Sequence, residues 1–197
     1  MIQTLTVLQL ILIIAVIFYM TANIIYLVRL QPVVKPISNP PRLSVCVPAR
    51  NEARGIQACL QSLLNQDYPN FEVIAIDDHS TDSTGDIMRT LSQENAHLKV
   101  LKAADLPEDW LGKPFALHQA FKIAQGEYLL FTDADLVFQS TTLNTAVHVM
   151  RERELDLLTL MPQAEFGSFW ERAVQPVIFG FIASLTRFKN VNNPDHK

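Results

Sequence analysis

Two aspartates separated by one residue end an apolar stretch in the middle of the chain. The stretch YLLFTDADLVF places Asp133 and Asp135 after a run that is typical of a buried β-strand. An ionised carboxylate is rarely buried without a partner, and two carboxylates this close repel each other. The pair therefore indicates a positive partner. Oxygen ligands at this spacing suit a hard divalent cation such as Mg²⁺ or Mn²⁺, whose coordination is often completed by substrate phosphates.

Two more polar clusters follow predicted strands earlier in the chain. PARNE (Pro48 to Glu52) follows LSVCV, and DDHSTDST (Asp77 to Thr84) follows FEVIAI. Turn and helix-capping chemistry explains any one such cluster, and it is the favoured explanation for STDST taken alone. Ligands of open α/β sheets bind beyond the carboxyl ends of the strands. Three clusters at one sheet edge, with two acidic pairs among them, therefore favour a binding site.

The residue types at this edge predict a site for a metal-bound diphosphate. We expect Asp135 to be a direct metal ligand, and Asp133 to contact the metal or a ribose. Lys113 lies in WLGKPFAL at the start of a predicted helix, where backbone N–H groups favour anions and disfavour cations. A phosphate contact is therefore expected for Lys113, and a solvated surface lysine is the alternative.

Strands and helices alternate along the soluble part of the chain. Apolar, β-branched runs predict strands, and apolar residues at helical spacing predict helices. The strands are expected at 43–47, 71–76, 98–101, 127–132 and 155–160, and the helices at 54–65, 81–92, 113–124 and 141–153. This alternation predicts an α/β fold with a mostly parallel sheet covered by helices on both faces.

Composition narrows the classes of function. Apolar residues make up 49% of the 197 residues, which supports a packed core, and a net charge of −4 provides no basic field for nucleic acid. We therefore expect no nucleic-acid partner. Cys46 and Cys59 have no metal-binding or redox spacing and are interpreted as small core residues.

The amino terminus predicts a membrane anchor. Leu5 to Val28 contains 24 residues without a charge, enough to cross a hydrocarbon core of about 30 Å. A signal peptide is the alternative, but no basic residue precedes the run and no small-residue cleavage site follows it. Arg29, Lys35 and Arg42 come after the run, so we expect a single anchor in the cell membrane with the following domain in the cytoplasm.

Four segments are expected. They are an anchor at 1–30, a proline-rich extended spacer at 31–42, an α/β domain with the expected diphosphate site at 43–165, and a helix with a tail at 166–197. The charge-free part of the last segment, Ala173 to Thr186, is short for a membrane span. It is interpreted as an interfacial segment near the lipid, and a buried core helix is the alternative.

The motifs together resemble family 2 glycosyltransferases of the GT-A fold, a Rossmann-like α/β fold. The resemblance rests on SVCVPARNE, VIAIDDHSTDST and LGKPFALHQAFKIAQGEYLLFTDADLVF, and it runs from about Leu43 to the end of the chain. WLGK and FGSFWERAVQPVIFGF are similar to a membrane-associated branch, the hopanoid-associated or carotenoid (diaponeurosporenoate-type) glycosyltransferases. By this resemblance the residues that hold the donor or its metal are Pro48, Ala49, Arg50, Asn51, Glu52, Asp77, Asp78, Lys113, Asp133 and Asp135.

The resemblance implies transfer of a sugar from a nucleotide-diphosphate donor, with UDP-sugar favoured, to a lipid or isoprenoid-like acceptor. It also implies dependence on Mg²⁺ or Mn²⁺ and inversion at the anomeric carbon. The catalytic base of such enzymes is a carboxylate after the D-x-D motif. No acidic residue after Asp135 lies in a matching motif, so we expect the base beyond residue 197 and interpret the chain as truncated or a fragment. A non-catalytic nucleotide-sugar-binding membrane protein is the alternative, and a D-x-D phosphatase is a weaker one.

Overall fold

The computed structural model describes residues 2–24, 30–186 and 190, which form two compact units. Unit 1 comprises Met1–Leu30 with Met161–Lys197, and unit 2 comprises Gln31–Leu160. Unit 1 contains the first and last helices, and unit 2 contains the sheet. The elements are α1 (Ile2–Ile24), β1 (Leu43–Ala49), α2 (Ile56–Leu64), β2 (Phe71–Asp77), α3 (Thr84–Glu94), β3 (Leu98–Lys102), α4 (Gly112–Ile123), β4 (Tyr128–Phe131), α5 (Thr142–Glu152) and α6 (Phe169–Leu185).

The four strands form one parallel sheet in the order β3-β2-β1-β4. The central position of β1 places β2 on one side of it and β4 on the other. Ala49 at the end of β1 pairs with Asp77 at the end of β2, and Cys46 pairs with Phe131 at the end of β4. The carboxyl ends of these three strands therefore meet at one edge, which confirms the predicted α/β class.

Alternation along the strands divides the core between the two faces of the sheet. Val45 and Val47 of β1 point to the face covered by α2, α3 and α5. There they belong to the same buried cluster as Leu60 of α2 and Met88 of α3. Cys46 points to the other face, where Ala116 and Ala120 of α4 pack closely. Both cysteines are buried and free, as expected from the sequence. Helices on both faces explain why β1 and β2 are apolar along nearly their whole length.

The fifth strand predicted at 155–160 is wrong. Within the described residues this segment has no strand structure and no strand partner, and Leu157 is 81% exposed. An apolar run forms a buried strand only where a neighbouring strand pairs with it, and here β4 remains an edge of the sheet. Phe131 of β4 is correspondingly half exposed.

The proline-rich segment before β1 belongs to unit 2 instead of standing apart as a spacer. The side chain of Asn144 in α5 donates to the carbonyl oxygens of Val33 and Lys35, at 2.6 and 3.1 Å. The Tyr68 hydroxyl donates to the carbonyl oxygen of Pro41. The segment contains bends, with Asn39 in the left-handed region at φ = 50°, and its backbone is held by the domain.

A buried carboxylate lies at the amino end of the sheet. Glu72 of β2 is 3% exposed and accepts hydrogen bonds from the Ser44 hydroxyl (2.7 Å), the Gln125 backbone N–H (2.9 Å) and the Lys99 ammonium (2.7 Å). Arg42 lies 3.5 Å away. Burial alone raises the pKa of Glu72, but the hydrogen bonds from Lys99, Ser44 and Gln125 outweigh it, and the net pKa lies below the ordinary glutamate value.

Unit 1 contains the helix that the sequence predicts as an anchor. Within the described residues, Thr6–Asn23 of α1 is long and apolar enough to cross a membrane, a test that a signal sequence at the amino terminus also passes. Residues 25–28 of the expected anchor lie outside the described residues. The last helix, α6, begins with a capping box in which Ser168 and Glu171 exchange hydrogen bonds.

Candidate functional site

The three strand ends enclose a cavity of about 200 Å³ at the carboxyl edge of the sheet. Every residue of the predicted donor and metal site except Asn51 and Asp77 lines it. The lining consists of Pro48, Ala49, Arg50, Glu52, Asp78, Lys113, Asp133, Ala134 and Asp135. The fold therefore brings together residues separated by more than eighty positions in the sequence.

The loop after β1 and the loop after β2 hold each other in place through hydrogen bonds. The Asn51 side chain accepts from the Thr81 backbone N–H at 2.8 Å. The Glu52 N–H donates to the Thr84 hydroxyl at 2.8 Å, and the Ala53 N–H donates to Asp82 at 3.2 Å. These contacts fix the position of Glu52 at the cavity wall.

Two residues of these loops have left-handed backbone conformations. Asn51 has φ = 56° and His79 has φ = 58°. Asparagine tolerates this region better than most residues, whereas histidine enters it at some cost in strain. Such conformations persist where the surrounding hydrogen bonds hold them, and here both flank the cavity.

The predicted residues outside the cavity lining shape its loops. The Asp77 carboxylate is 9% exposed and accepts the Ser80 backbone N–H at 3.0 Å, so it closes the turn after β2. Asn51 bonds to Thr81, as described above. Donor contacts by Asp77 and Asn51 therefore stay predictions, while neighbouring Asp78 is the member of the acidic pair that reaches the cavity.

Helix α2 supports the D-x-D turn from below. The Cys59 thiol donates to the carbonyl oxygen of Asp133 at 3.6 Å. The pKa of Cys59 is raised to about 12, chiefly by burial, while the Leu136 backbone lowers it and the charges of Asp135 and Asp133 add smaller increases. The thiol therefore stays protonated and acts as a structural donor beneath the turn.

Helix α4 provides a basic side chain beside the D-x-D carboxylates. Lys113, in its first turn, forms an ion pair with Asp133 in which both side chains are more than half exposed. A Cβ atom added at Gly112 would lie 2.8 Å from Asp78 Oδ2, so a side chain there would push α4 away from the cavity. The phosphate contact predicted for Lys113 is compatible with this position, but the structure gives Lys113 a carboxylate partner.

The charges around the cavity fit a divalent cation. Four carboxylates line it, from Glu52, Asp78, Asp133 and Asp135, against two basic side chains, from Arg50 and Lys113. Arg50 lies 4.0 Å from Asp78. Within the described part of the chain no group of three or more His, Cys, Asp or Glu side chains is arranged to hold a metal ion. A cation here would take one or two carboxylates and complete its coordination with phosphate and water, as Mg²⁺ usually does.

A second cavity, of about 300 Å³, lies behind the turn after β2. It is lined by Asp77, His79, Ser80, Asp82, Gly85, Asp86, Arg89 and Lys102. Although it is larger, its wall contains no residue of the β1 or β4 clusters. Its carboxylates are already engaged: Asp77 with Ser80, Asp82 with Thr84 and Asp86 with Arg89. We therefore assign the binding site to the smaller cavity.

The acidic residues that follow Asp135 within unit 2 do not reach this cavity. Glu152, Glu154 and Asp156 lie at or beyond the end of α5 and are absent from its described lining. The position expected for the catalytic base, beyond residue 197, stays a prediction.

Comparison with known proteins identifies the family. The model of the glycosyl transferase family 2 matches residues 44–196, and the chain belongs to that family. The match covers both D-x-D aspartates and all three strand-end clusters. It displaces the phosphatase alternative, which leaves PARNE and DDHS unexplained. The narrower resemblance to a hopanoid- or carotenoid-associated branch stays a prediction.

Individual relatives agree with this assignment. A β-monoglucosyldiacylglycerol synthase from Nostoc sp. is 36% identical over 58% of this chain and 25% of its own length. A mannosyltransferase from Pyrobaculum calidifontis, solved with GDP-mannose and Mn²⁺, is 30% identical, with a TM-score of 0.55 over 69% of this chain and 40% of that one. Staphylococcus aureus TarS with UDP-GlcNAc is 32% identical, with a TM-score of 0.50 over 64% of this chain and 38% of that one.

The chain spans less than half the length of these relatives. The family model and the solved structures identify the matched part of the chain as a glycosyltransferase domain with GT-A neighbours. The activity, substrates and partners of the whole protein belong to the proposal below.

Proposed function

We propose that this protein transfers a sugar from a nucleotide-diphosphate donor to a lipid-like acceptor at the cell membrane, in a reaction that depends on a divalent cation. The observation that carries the proposal is the cavity at the carboxyl edge, where the clusters after β1, β2 and β4 meet with an excess of carboxylates. A UDP-sugar is the favoured donor. TarS with UDP-GlcNAc supports this choice, whereas the Pyrobaculum relative was solved with GDP-mannose.

The wall of the cavity divides by chemistry into two parts. Asp78 and Arg50, at the ends of β2 and β1, are suited to the polar groups of the nucleoside. Asp133 and Asp135 would hold Mg²⁺ or Mn²⁺, which supplies charge neutralisation for the diphosphate. Lys113, on the first turn of α4, would donate to a phosphate oxygen in addition to Asp133.

Inversion at the anomeric carbon needs a base on the face of the sugar opposite the diphosphate. A positioned general base contributes about 10²–10⁴-fold to such a step. The carboxylates of the cavity gather around the position proposed for the diphosphate. We therefore propose that the base is not among residues 31–160.

A membrane location agrees with the proposed acceptor. α1 has no charged residue, and its stretch Thr6–Asn23 is long and apolar enough to cross a membrane. The basic residues after it, Arg29, Lys35 and Arg42, favour a cytoplasmic domain. The Nostoc relative is named for the synthesis of a glucosylated diacylglycerol, which supports a lipid acceptor here.

Calorimetry on the full chain in detergent tests donor binding. We expect UDP-glucose or UDP-GlcNAc to bind in the presence of Mn²⁺ and to lose most of its affinity when a chelator is added. GDP-mannose serves as the competing donor. Binding that is unchanged by the chelator would contradict the metal assignment, and preference for GDP-mannose would contradict the choice of UDP.

A turnover assay separates transfer from the non-catalytic alternative. The same protein is incubated with the preferred donor, Mn²⁺ and a membrane lipid extract, and release of the nucleoside diphosphate is followed together with glycolipid formation. Glycolipid formation supports the proposal. Tight binding of the donor without any glycolipid would favour a nucleotide-sugar-binding protein.

A further inference from the structure

The last helix has charges in its first turn only, and two basic residues follow it in the sequence. Glu171 and Arg172 lie in its first turn, and the sequence continues after it with Arg187 and Lys189. Between them Ala173 to Thr186 has no charge. Thirteen of these residues, up to Leu185, are helical and extend about 20 Å, which is shorter than a hydrocarbon core of about 30 Å. The uncharged part of this helix is therefore too short to cross a bilayer.

Large apolar side chains of α6 are exposed. They are Phe169 (74%), Trp170 (72%), Val174 (46%), Val177 (70%), Ile178 (49%), Ile182 (52%) and Leu185 (70%). Exposed apolar patches of this extent mark a surface that contacts another protein or a membrane. Trp170 and Phe169 lie at the charged end, and tryptophan is enriched where membrane proteins cross the lipid–water boundary.

The remaining face of α6 contacts the end of α1. Gly180, Ala183 and Thr186 are half-buried, at a spacing that places them on one side of the helix. On α1 Asn23 is buried and Met20 is half-buried, whereas every residue from 6 to 19 is exposed. The two helices therefore meet at their carboxyl-terminal turns, and α6 does not shield the rest of α1.

A polar contact and a small residue build this junction. The Asn23 side-chain N–H donates to the carbonyl oxygen of Ala183 at 2.6 Å and also to that of Thr186. The last carbonyl groups of a helix lack partners within it, so Asn23 satisfies groups that α6 would otherwise leave open. A Cβ atom added at Gly180 would lie 2.8 Å from Met20 Cε, so the flexible end of the Met20 side chain packs directly against this glycine.

We propose that α6 is an in-plane membrane helix that lies at the lipid–water boundary and is attached to the spanning helix α1 through Asn23 and Gly180. The occupant of its apolar face is the bilayer, because the other face of the same helix is attached to α1, which we propose to cross that bilayer. The junction lies at the end of α1 that is followed by Arg29, where the apolar run meets water. The charges in the first turn of α6 then stay hydrated while its apolar side chains enter the lipid.

This inference rests on the proposed anchoring by α1 and is independent of sugar transfer. Its tests use neither a donor nor an acceptor, so their failure would leave the transferase proposal standing. Cys46 and Cys59 are fully buried, so a thiol label reacts with introduced cysteines, and the unsubstituted protein is the labelling control.

Depth measurements on the full chain test the orientation of α6. Leu12→Cys, Val177→Cys and Glu171→Cys are each labelled with an environment-sensitive fluorophore in phosphatidylcholine and phosphatidylglycerol vesicles. We expect the label at 12 to be quenched best by lipids brominated near the chain end, the label at 177 by lipids brominated near the headgroup, and the label at 171 by aqueous iodide. Iodide quenching at 177 equal to that at 171 would overturn the proposal, as would deep quenching at both sites.

Thiol cross-linking tests the junction between the helices. Met20→Cys with Gly180→Cys should cross-link with a short bifunctional reagent, whereas Phe18→Cys with Gly180→Cys should not, since Phe18 is 74% exposed and faces away. Adding Asn23→Leu to the first pair should lower cross-linking roughly threefold to tenfold, the range expected for an interhelical hydrogen bond in a membrane. Thr21→Val is the control, because the Thr21 hydroxyl bonds only to its own helix at Ile17 in the described contacts. Equal cross-linking of both cysteine pairs, or no effect of Asn23→Leu, would overturn the junction.

Discussion

Both ends of the sheet carry acidic side chains, but their surroundings differ sharply. At the amino end Glu72 is 3% exposed and has three hydrogen-bond donors as well as the Arg42 guanidinium nearby. At the carboxyl end Asp133 is more than half exposed and has Lys113 as its ion-pair partner. Asp135 lies beside it in the cavity wall.

The difference separates a structural carboxylate from a binding carboxylate. Glu72 already receives from the protein all the positive and donor groups that its burial requires, so nothing remains for a ligand to supply. Asp133 and Asp135 are left with an excess of negative charge that water and one exposed lysine only partly offset. We therefore expect binding at this site to be most favourable when a cation and a diphosphate bind together.

The topology explains this asymmetry. At the amino end the loop between α4 and β4 contacts the neighbouring strands. Its Gln125 N–H donates to Glu72 of β2, and its Gly126 N–H donates to the Ser44 hydroxyl of β1. At the carboxyl end the strands open into loops, and hydrogen bonds between the loops after β1 and β2 hold those two loops to each other. Variants at the two ends should therefore affect different quantities.

The largest expected effect is on stability, at the amino end. Glu72→Ala removes the acceptor for Ser44, Gln125 and Lys99, and we expect it to lower the free energy of unfolding by about 2–4 kcal/mol. Chemical denaturation of the full chain in detergent measures this. Glu94→Ala, at the exposed end of α3, is the matched control and should change stability by less than about 0.5 kcal/mol. A loss no greater than that of the control would show that the Glu72 network contributes little.

A carboxylate at the other end should affect binding and leave stability unchanged. Asp135→Asn removes one metal-ligand charge from an exposed position, so we expect the free energy of unfolding to stay within about 0.5 kcal/mol. Donor affinity in the presence of Mn²⁺ should fall by about 2 kcal/mol, roughly thirtyfold, as measured by calorimetry.

Asp109→Asn is the control for this variant, since Asp109 lies in the exposed loop before α4 and outside the cavity lining. It should bind the donor like the wild type. Unchanged donor affinity in Asp135→Asn would remove Asp135 from the site and weaken the contrast between the two ends of the sheet.

Substitution of Lys113 should have a smaller effect, which should differ between donor affinity and metal affinity. Lys113→Met removes a proposed phosphate donor, so we expect donor affinity to fall about fivefold to thirtyfold, corresponding to roughly 1–2 kcal/mol. The affinity for Mn²⁺ alone should not fall, because a cation that competes for Asp133 has been removed. Calorimetric titrations with metal alone and with metal plus donor measure the two effects, and Lys122→Met in the last turn of α4 is the control. A parallel loss of metal and donor affinity would mean that Lys113 acts by holding Asp133 in place.

Much of this arrangement could be predicted from local signals in the sequence. The strands LSVCV, FEVIAI and EYLLFT were recognisable from their apolar β-branched runs, and the clusters after them lie where a parallel sheet requires. The parts that could not be predicted depend on contacts between distant residues. Asp77 and Asp78 are chemically identical in the sequence, and only the turn geometry shows that Asp78 reaches the cavity.

The wrong and missed elements have the same origin. The run at 155–160 has the composition of a strand, but composition does not supply a pairing partner. The segment at 31–42 has the composition of a spacer, yet Asn144 and Tyr68 hold its backbone. The Glu72 cluster escaped notice, although one carboxylate inside FEVIAI, a strand apolar on both faces, was a detectable signal of a buried partner network.

The smallest expected effect is the pH dependence of stability at the amino end. The pKa of Glu72 in the folded protein lies below the unfolded value of about 4.3, so the native state binds its proton less readily than the unfolded chain does. The stability from this group is therefore fully present above the unfolded pKa and is lost as the pH falls through the lower, folded pKa. Its slope cannot exceed about 1.4 kcal/mol per pH unit, the value for one proton.

Glu72→Gln isolates this contribution, because the amide keeps the shape of the side chain and does not ionise near that pH. We expect the wild type to exceed Glu72→Gln in free energy of unfolding by a constant amount between pH 5 and 7, since Glu72 remains ionised there in both states. The difference should shrink as the pH falls below about 4.3. Asp82→Asn is the comparison, because hydrogen bonds from Thr84 also lower the pKa of Asp82, but at a solvent-exposed position where screening reduces the effect. Denaturant titrations over this pH range measure both differences. A difference for Glu72→Gln that grows on acidification would mean that burial outweighs the hydrogen bonds and that Glu72 gains its proton more readily when folded.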